Sequence, residues 1–297
     1  DTSIHTSNGN LDIFIQKLDA NGNFVWAKTV GGISADVCNS IALDSAGNVY
    51  NTGIFMGTVD FDPGNDTSIH TSNGNYDIFI QKLDANGNFV WAKTIGGITT
   101  DVCNSIALDS AGNIYTTGYF VGTTDFDPGT GIYNLTINGD VDMFVLKLDA
   151  NGSFIWAKCF GGNLWDEGKS ITVDYNGNVL ITGSFNGPVD FDPGSGIYNL
   201  TSNGSQDILI LKLDSSGNLI WVKNVGGSSW EYGMSITSDV NGNVYTTGYF
   251  QSIADFDPGS GTYNLSSIGE GDIFISKFDA IGNFIWAKSI GGITWDN

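Results

Sequence analysis

The chain has 297 residues, 32 of them acidic and 11 basic, giving a formal charge of −21. That balance repels nucleic acid and anionic lipid, which recruit clustered Lys and Arg, and leaves cations or neutral ligands such as glycans as compatible partners. No apolar run is long enough to span a bilayer, so no membrane insertion is expected. The three cysteines have no metal-like spacing and read as small buried hydrophobes, not as a disulfide framework.

The segment from Asp12 to Lys28 returns verbatim as Asp77 to Lys93 and, lightly edited, from Asp142, Asp207 and Asp272, at a constant step of 65 residues. A fixed period of this size marks one supersecondary unit repeated in an array. Within residues 38–97, Cys38 to Leu43 is predicted as a first strand, Asp44 to Asn48 as a turn and Val49 to Met56 as a second strand. A long loop containing Asp60-Phe-Asp-Pro-Gly64 follows. Asp77 to Leu83 is a third strand, Asp84 to Asn88 a second turn, and Phe89 to Ile95 a fourth strand. β-Branched and aromatic residues fill these runs, and Gly, Asn and Asp separate them.

Four short antiparallel strands per repeat predict an all-β fold, a β-propeller of four-stranded blades. In chain order there is a half blade at 12–32 and whole blades at 38–97, 103–162, 168–227 and 233–292, a single array best read as five-bladed and as a segment of a longer chain. A half blade exposes unpaired backbone N–H and C=O groups, which recruit another strand. Closure within the intact protein is the expectation, with head-to-tail assembly of copies as the alternative.

Nine Asp-x-x-Gly-Asn/Ser turns begin at Asp19, Asp44, Asp84, Asp109, Asp149, Asp174, Asp214, Asp239 and Asp279. Their alternating polar residues invite a calcium reading. The third position, however, is Ala46, Ala111, Ser216 or Ile281 in four of them, so a metal loop would lack a ligand there. A type I turn with a Gly bulge, its first Asp accepting local N–H groups, accounts for the pattern.

These turns join strand one to two and strand three to four, so they share one face of the array. The opposite face collects two longer links: the inter-blade connection after each Gly-Gly pair, and the loop carrying Asp-Phe-Asp. Function is expected there, because binding favours irregular loops held by rigid strands. Residues i and i+2 of extended backbone point the same way. The pairs Asp60/Asp62, Asp125/Asp127, Asp190/Asp192 and Asp255/Asp257 are therefore candidate Ca²⁺ ligands, with Asp36, Asp101, Asp166 and Glu231 as further oxygen donors. The competing reading makes Asp-Pro-Gly a turn and the acids a soluble rim.

Two tryptophan series differ in kind. Trp26, Trp91, Trp156, Trp221 and Trp286 lie inside strands, as packing between blades. Trp165, Trp230 and Trp295 occupy a loop position that is Ala35 and Thr100 in the earlier repeats, and each precedes an acid, Asp166, Glu231 or Asp296. An exposed aromatic beside a carboxylate suits a sugar ring; a Trp sealing the joint is the alternative. Ten of the eleven lysines recur at two repeat positions, Lys17 and Lys28 in the first copy, and are expected beside blade-edge acids or carbonyls. Only two histidines exist, one period apart, and no unique acid, base or nucleophile stands out, so no enzyme is expected.

The run Asp-Ile-Phe-Ile-x-Lys-Leu-Asp-x-x-Gly-Asn-Phe-x-Trp-Ala-Lys, then Gly-Gly, then Ser-Ile-Ala-Leu-Asp-Ser-Ala-Gly-Asn-Val-Tyr-x-Thr-Gly, resembles the SBBP-type β-propeller repeat of bacterial secreted and surface proteins. The Asp-Phe-Asp-Pro-Gly element resembles a variant found in large exported proteins. The resemblance implies a propeller and an extracellular, secreted or cell-surface address, with no catalytic residues. The sequence thus points to a non-catalytic structural or adhesion module of a surface or fibre-forming protein. The alternative is a calcium-dependent, lectin-like propeller. The expected partner is an extracellular glycan or protein, or further copies of the chain; no cofactor is required, and Ca²⁺ is compatible.

Overall fold

The computed structural model describes residues 3–296. It is all-β: no helix occurs among them, and hence none long and apolar enough to cross a membrane. A half blade pairs Ile13–Leu18 with Phe24–Val30. The first whole blade orders Val37–Leu43, Val49–Phe55, Asp77–Leu83 and Phe89–Ile95 as an antiparallel sheet. The second uses Asp101–Leu108, Ile114–Phe120, Asp142–Leu148 and Phe154–Phe160; the third Glu167–Val173, Val179–Phe185, Asp207–Leu213 and Leu219–Gly227; the fourth Glu231–Ser238, Val244–Phe250, Asp272–Phe278 and Phe284–Ile290. These strands agree with the expected ones to within a residue or so.

The long loop is more ordered than its sequence suggested. In the first blade it holds a short hairpin, Thr58–Asp60 against Ile69–Thr71, and each later blade has its counterpart. The Phe of each Asp-Phe-Asp is the anchor. Phe61, Phe126, Phe191 and Phe256 are all fully buried or nearly so, and Phe126 sits 5.2 Å from Phe120 and 5.0 Å from Phe144 between ring centroids. The motif therefore plugs the blade with its aromatic side chain, which is where its hydrophobic stabilisation lies.

Every hydrogen bond between blades among the described residues joins consecutive ones, and the donors recur. Ser40 Oγ accepts from Ile106 N–H, Ser105 Oγ from Ile171 N–H and Ser170 Oγ from Ile236 N–H, at 3.2–3.3 Å. Asn39 and Asn104 donate side-chain N–H to the Cys103 and Gly168 carbonyls, at 2.9 and 2.8 Å. The strand tryptophans pack at the joints as expected: Trp26, Trp156 and Trp221 donate Nε1–H to the Ala85, Ser215 and Ala280 carbonyls of the following blade. Lys17, Lys147 and Lys212 reach the same three carbonyls. Lys82, Lys147 and Lys277 also lie over the rings of Tyr50, Tyr115 and Tyr245. The ring of Trp26 and the stem of Lys28 rest on Gly87, where any side chain would intrude.

Candidate functional site

The turn face has no carboxylate to spare. All nine turn glycines have φ between +76° and +83°, the conformation that glycine adopts without strain. In the first turn, Asp19 Oδ1 accepts from the backbone N–H of Asn21 and Asn23, and its Oδ2 from the Asn23 side chain, at 2.8–2.9 Å. Where the third residue is Ala46, Ala111, Ser216 or Ile281, its N–H makes the same bond, so the side chain there is not used. The bonds from Asn23 hold the Asp19 carboxyl below its usual range.

On the link face, three kinds of acid have different settings. In each Asp-Phe-Asp, the first carboxylate closes the loop: Asp60 Oδ1 accepts from Asp62 and Ser68 N–H at 3.1 and 2.8 Å. Asp125, Asp190 and Asp255 repeat this toward Tyr133, Tyr198 and Tyr263. The second, Asp62, Asp127, Asp192 or Asp257, accepts from the glycine two residues on, at 2.7–2.9 Å. Each pair is thus already engaged with its own backbone, and no group of three or more His, Cys, Asp or Glu suited to a metal occurs among the described residues.

The inter-blade acids are buried. Asp36, Asp101, Asp166 and Glu231 are at most 2% exposed, and each accepts the N–H of the second glycine in the preceding Gly-Gly pair at 2.7–3.0 Å. A second buried carboxyl, such as Asp77 or Asp142, packs against the first glycine. Burial pushes Asp166 and Glu231 up to about 7 and Asp77 to about 6, with the neighbouring carboxyls Asp142, Asp207 and Asp101 adding to the effect.

The expected pairing of Trp with its following acid is therefore corrected: Asp166 and Glu231 turn into the joint while Trp165 and Trp230 remain 41% and 52% exposed. Extended backbone sends neighbours to opposite sides, and a parallel bridge fixes each Trp, Val141 with Trp165 and Gln206 with Trp230. Trp295 is bridged to Gly271 in the same way and is 38% exposed. Asp296 accepts the Gly292 N–H.

Trp165 and Trp230 instead line one cleft of about 550 Å³ that spans the second, third and fourth blades. Tyr119 lies 5.3 Å from Trp165 and Tyr232 6.3 Å from Trp230 between ring centroids. Tyr232, Tyr249 and Trp295 continue the aromatic row at 4.9 and 5.2 Å. Glu167, 4% exposed, pairs with Lys169 at 2.9 Å. Burial raises the phenols of Tyr119 and Tyr249, with the Glu167 charge adding to it. Tyr232 rises to about 12 through burial, Tyr249 and Glu167. One carboxylate thus lies within the field of three tyrosines.

Glu167, Lys169, Tyr119, Tyr232 and Gln206 escaped the sequence reading, although a signal existed. Glu167 aligns with Val37, Val102 and Tyr232, and Lys169 with Asn39, Asn104 and Met234. The cleft is made where an otherwise repeated sequence stops repeating. At Lys169 the asparagine that staples the earlier joints is replaced by a lysine that turns to Glu167.

The chain spans about a quarter of the length of the curated relatives it matches. An uncharacterized WD repeat-containing protein of Acanthamoeba polyphaga mimivirus is 27% identical over 97% of the chain and 25% of its own length. The regulatory protein FlaEY of Caulobacter vibrioides is 26% identical over 90% of the chain and 28% of its own length. A crystal structure of a protein of unknown function from Bacteroides caccae aligns with a TM-score of 0.37 at 14% identity, covering 97% of this chain and 95% of that one. The SBBP β-propeller repeat model matches residues 25–53, 90–119 and 155–188. Three matches to that repeat model, on a chain of four-stranded antiparallel blades, support an SBBP-type β-propeller repeat protein.

Proposed function

We propose that the chain is a non-catalytic, extracellular structural or adhesion module of a bacterial surface or fibre-forming protein, acting through the cleft of its link face. The observation that carries this reading is the charge inventory of the cleft. Glu167 is the one carboxylate among its lining residues, and Lys169 neutralises it at 2.9 Å. Glycoside hydrolysis ordinarily uses two carboxyl groups on opposite sides of the scissile bond. A single, lysine-paired carboxylate between aromatic walls favours holding a ligand over turning it over. Rigid joints on either side support such a role, since they keep the cleft-lining side chains in place.

The extracellular address is supported by the likeness to repeats of bacterial secreted and surface proteins. Antibody labelling of intact cells, and adhesion of beads coated with the purified chain to cells or matrix, test it. Surface labelling and adhesion without turnover are expected. Polysaccharide hydrolysis that Glu167→Gln abolishes would reverse the non-catalytic reading.

A further inference from the structure

The cleft's surfaces go further than a generic binding face. Trp165 and Trp230 present broad apolar rings that adjacent tyrosines brace. The strand tryptophans Trp26, Trp156 and Trp221 are tied through Nε1 to a carbonyl of the next blade; Trp165 and Trp230 sit in the links. The same cleft is lined by uncharged hydrogen-bonding groups, Asn186, Ser205 and Gln206. Gln206 is 7% exposed, and its amide oxygen has no hydrogen-bond partner. A buried amide oxygen without a donor is a standing cost, which an incoming hydroxyl would relieve once the amide turns toward the cleft. The one acid and the one base cancel each other.

Flat apolar faces flanked by uncharged donors and acceptors match a pyranose ring, with its C–H face and hydroxyl rim. They do not match a phosphate or a polyanion, because the one lysine is already paired and the chain carries a charge of −21. We propose that this cleft binds a neutral glycan, one sugar ring stacking on Trp165 or Trp230 and its hydroxyls bonding to Gln206 and Asn186. The proposal rests on the binding-module reading above and adds the ligand class.

The test is an array of neutral and acidic oligosaccharides and peptides probed with the whole chain. The strongest neutral oligosaccharide is then titrated by tryptophan fluorescence and calorimetry. Binding to neutral glycans is expected, weakened at least tenfold in Trp165→Ala plus Trp230→Ala with the melting midpoint nearly unchanged. Should the double variant melt early, Trp230→Ala alone, at the more exposed ring, reads the same effect, and Trp230→Tyr is expected to restore part of it. Three outcomes overturn the proposal: no neutral glycan bound, neutral-glycan binding that survives both alanine variants, or preference for acidic glycans or peptides. A blank array with bead adhesion retained sinks the ligand class alone; loss of adhesion as well removes the module reading.

Discussion

In the turn at Asp109, one carboxylate accepts two backbone N–H groups and the side chains of Asn113 and Tyr115. In the cleft, one carboxylate of the third blade has a single lysine partner and a ring of tyrosines around it. The first arrangement recurs at Asp44 and Asp239, and at Asp174 with Lys212 in place of the tyrosine; the second occurs once. In these repeated turns the carboxylates are satisfied locally and serve the fold. In the cleft, where the repeats diverge, Trp165 and Trp230 are left facing solvent, and such groups are available to a partner.

The division can be broken most forcefully in the repeated part. Phe126→Ala should cost about 3–5 kcal/mol in a denaturant melt, as for a buried aromatic removed from a core, and a small loss would mean that the Asp-Phe-Asp plug is not what holds the loop. Next, Asp109→Ala should cost about 1–2 kcal/mol, because several donors lose their acceptor. By contrast, Asn86→Ala, at the unused third position of another turn, should stay within about 0.5 kcal/mol. Equal effects would mean that the third side chain contributes after all.

The buried carboxyls make a pH prediction. Asp166 and Glu231, raised to about 7, and Asp77, raised to about 6, bind protons in the folded chain that the unfolded chain has already released. Their contribution to stability is therefore fully present below about pH 4 and is lost as pH rises toward 7. The melting midpoint should fall between pH 5 and pH 8, and Glu231→Gln should flatten that fall; a midpoint that climbs over this range contradicts the assignment. Replacing both Trp165 and Trp230 by Ala should move stability by no more than about 1 kcal/mol, the contrast that separates cleft from joint. Smallest of all, Ca²⁺ against chelator should leave the midpoint in place, since a ligand stabilises only by binding the folded chain. A clear upward shift with Ca²⁺ would support Asp60/Asp62 and their counterparts as a cation site.

The blade plan was legible because its signals are local and repeated: turn glycines at a fixed step, β-branched runs between them, and a period that aligns every strand. The long loop's hairpin was less legible, since its strands have only three residues, too few to show alternation. The site was half legible. Trp165 and Trp230 stood out as departures from Ala35 and Thr100, but the acid beside each in sequence proved to lie on the other side of the backbone. Glu167 was hidden for a different reason. Its partners Tyr119, Tyr232 and Tyr249 come from other strands and other blades, and only the fold gathers them.

The joints between blades read main-chain atoms. Trp156 and Trp221 bond to carbonyls of Ser215 and Ala280, Ser40 and Ser105 receive backbone N–H groups, and Asn39 and Asn104 find carbonyls. Any blade offers such acceptors and donors at the same places, whatever its side chains. A repeat duplicated, deleted or exchanged by recombination therefore meets a ready-made seat on both sides. The near-identity of residues 1–53 and 66–118 is what such an exchange leaves behind. Recognition can then be rewritten one blade at a time, by shuffling rather than by gradual refinement of a pocket.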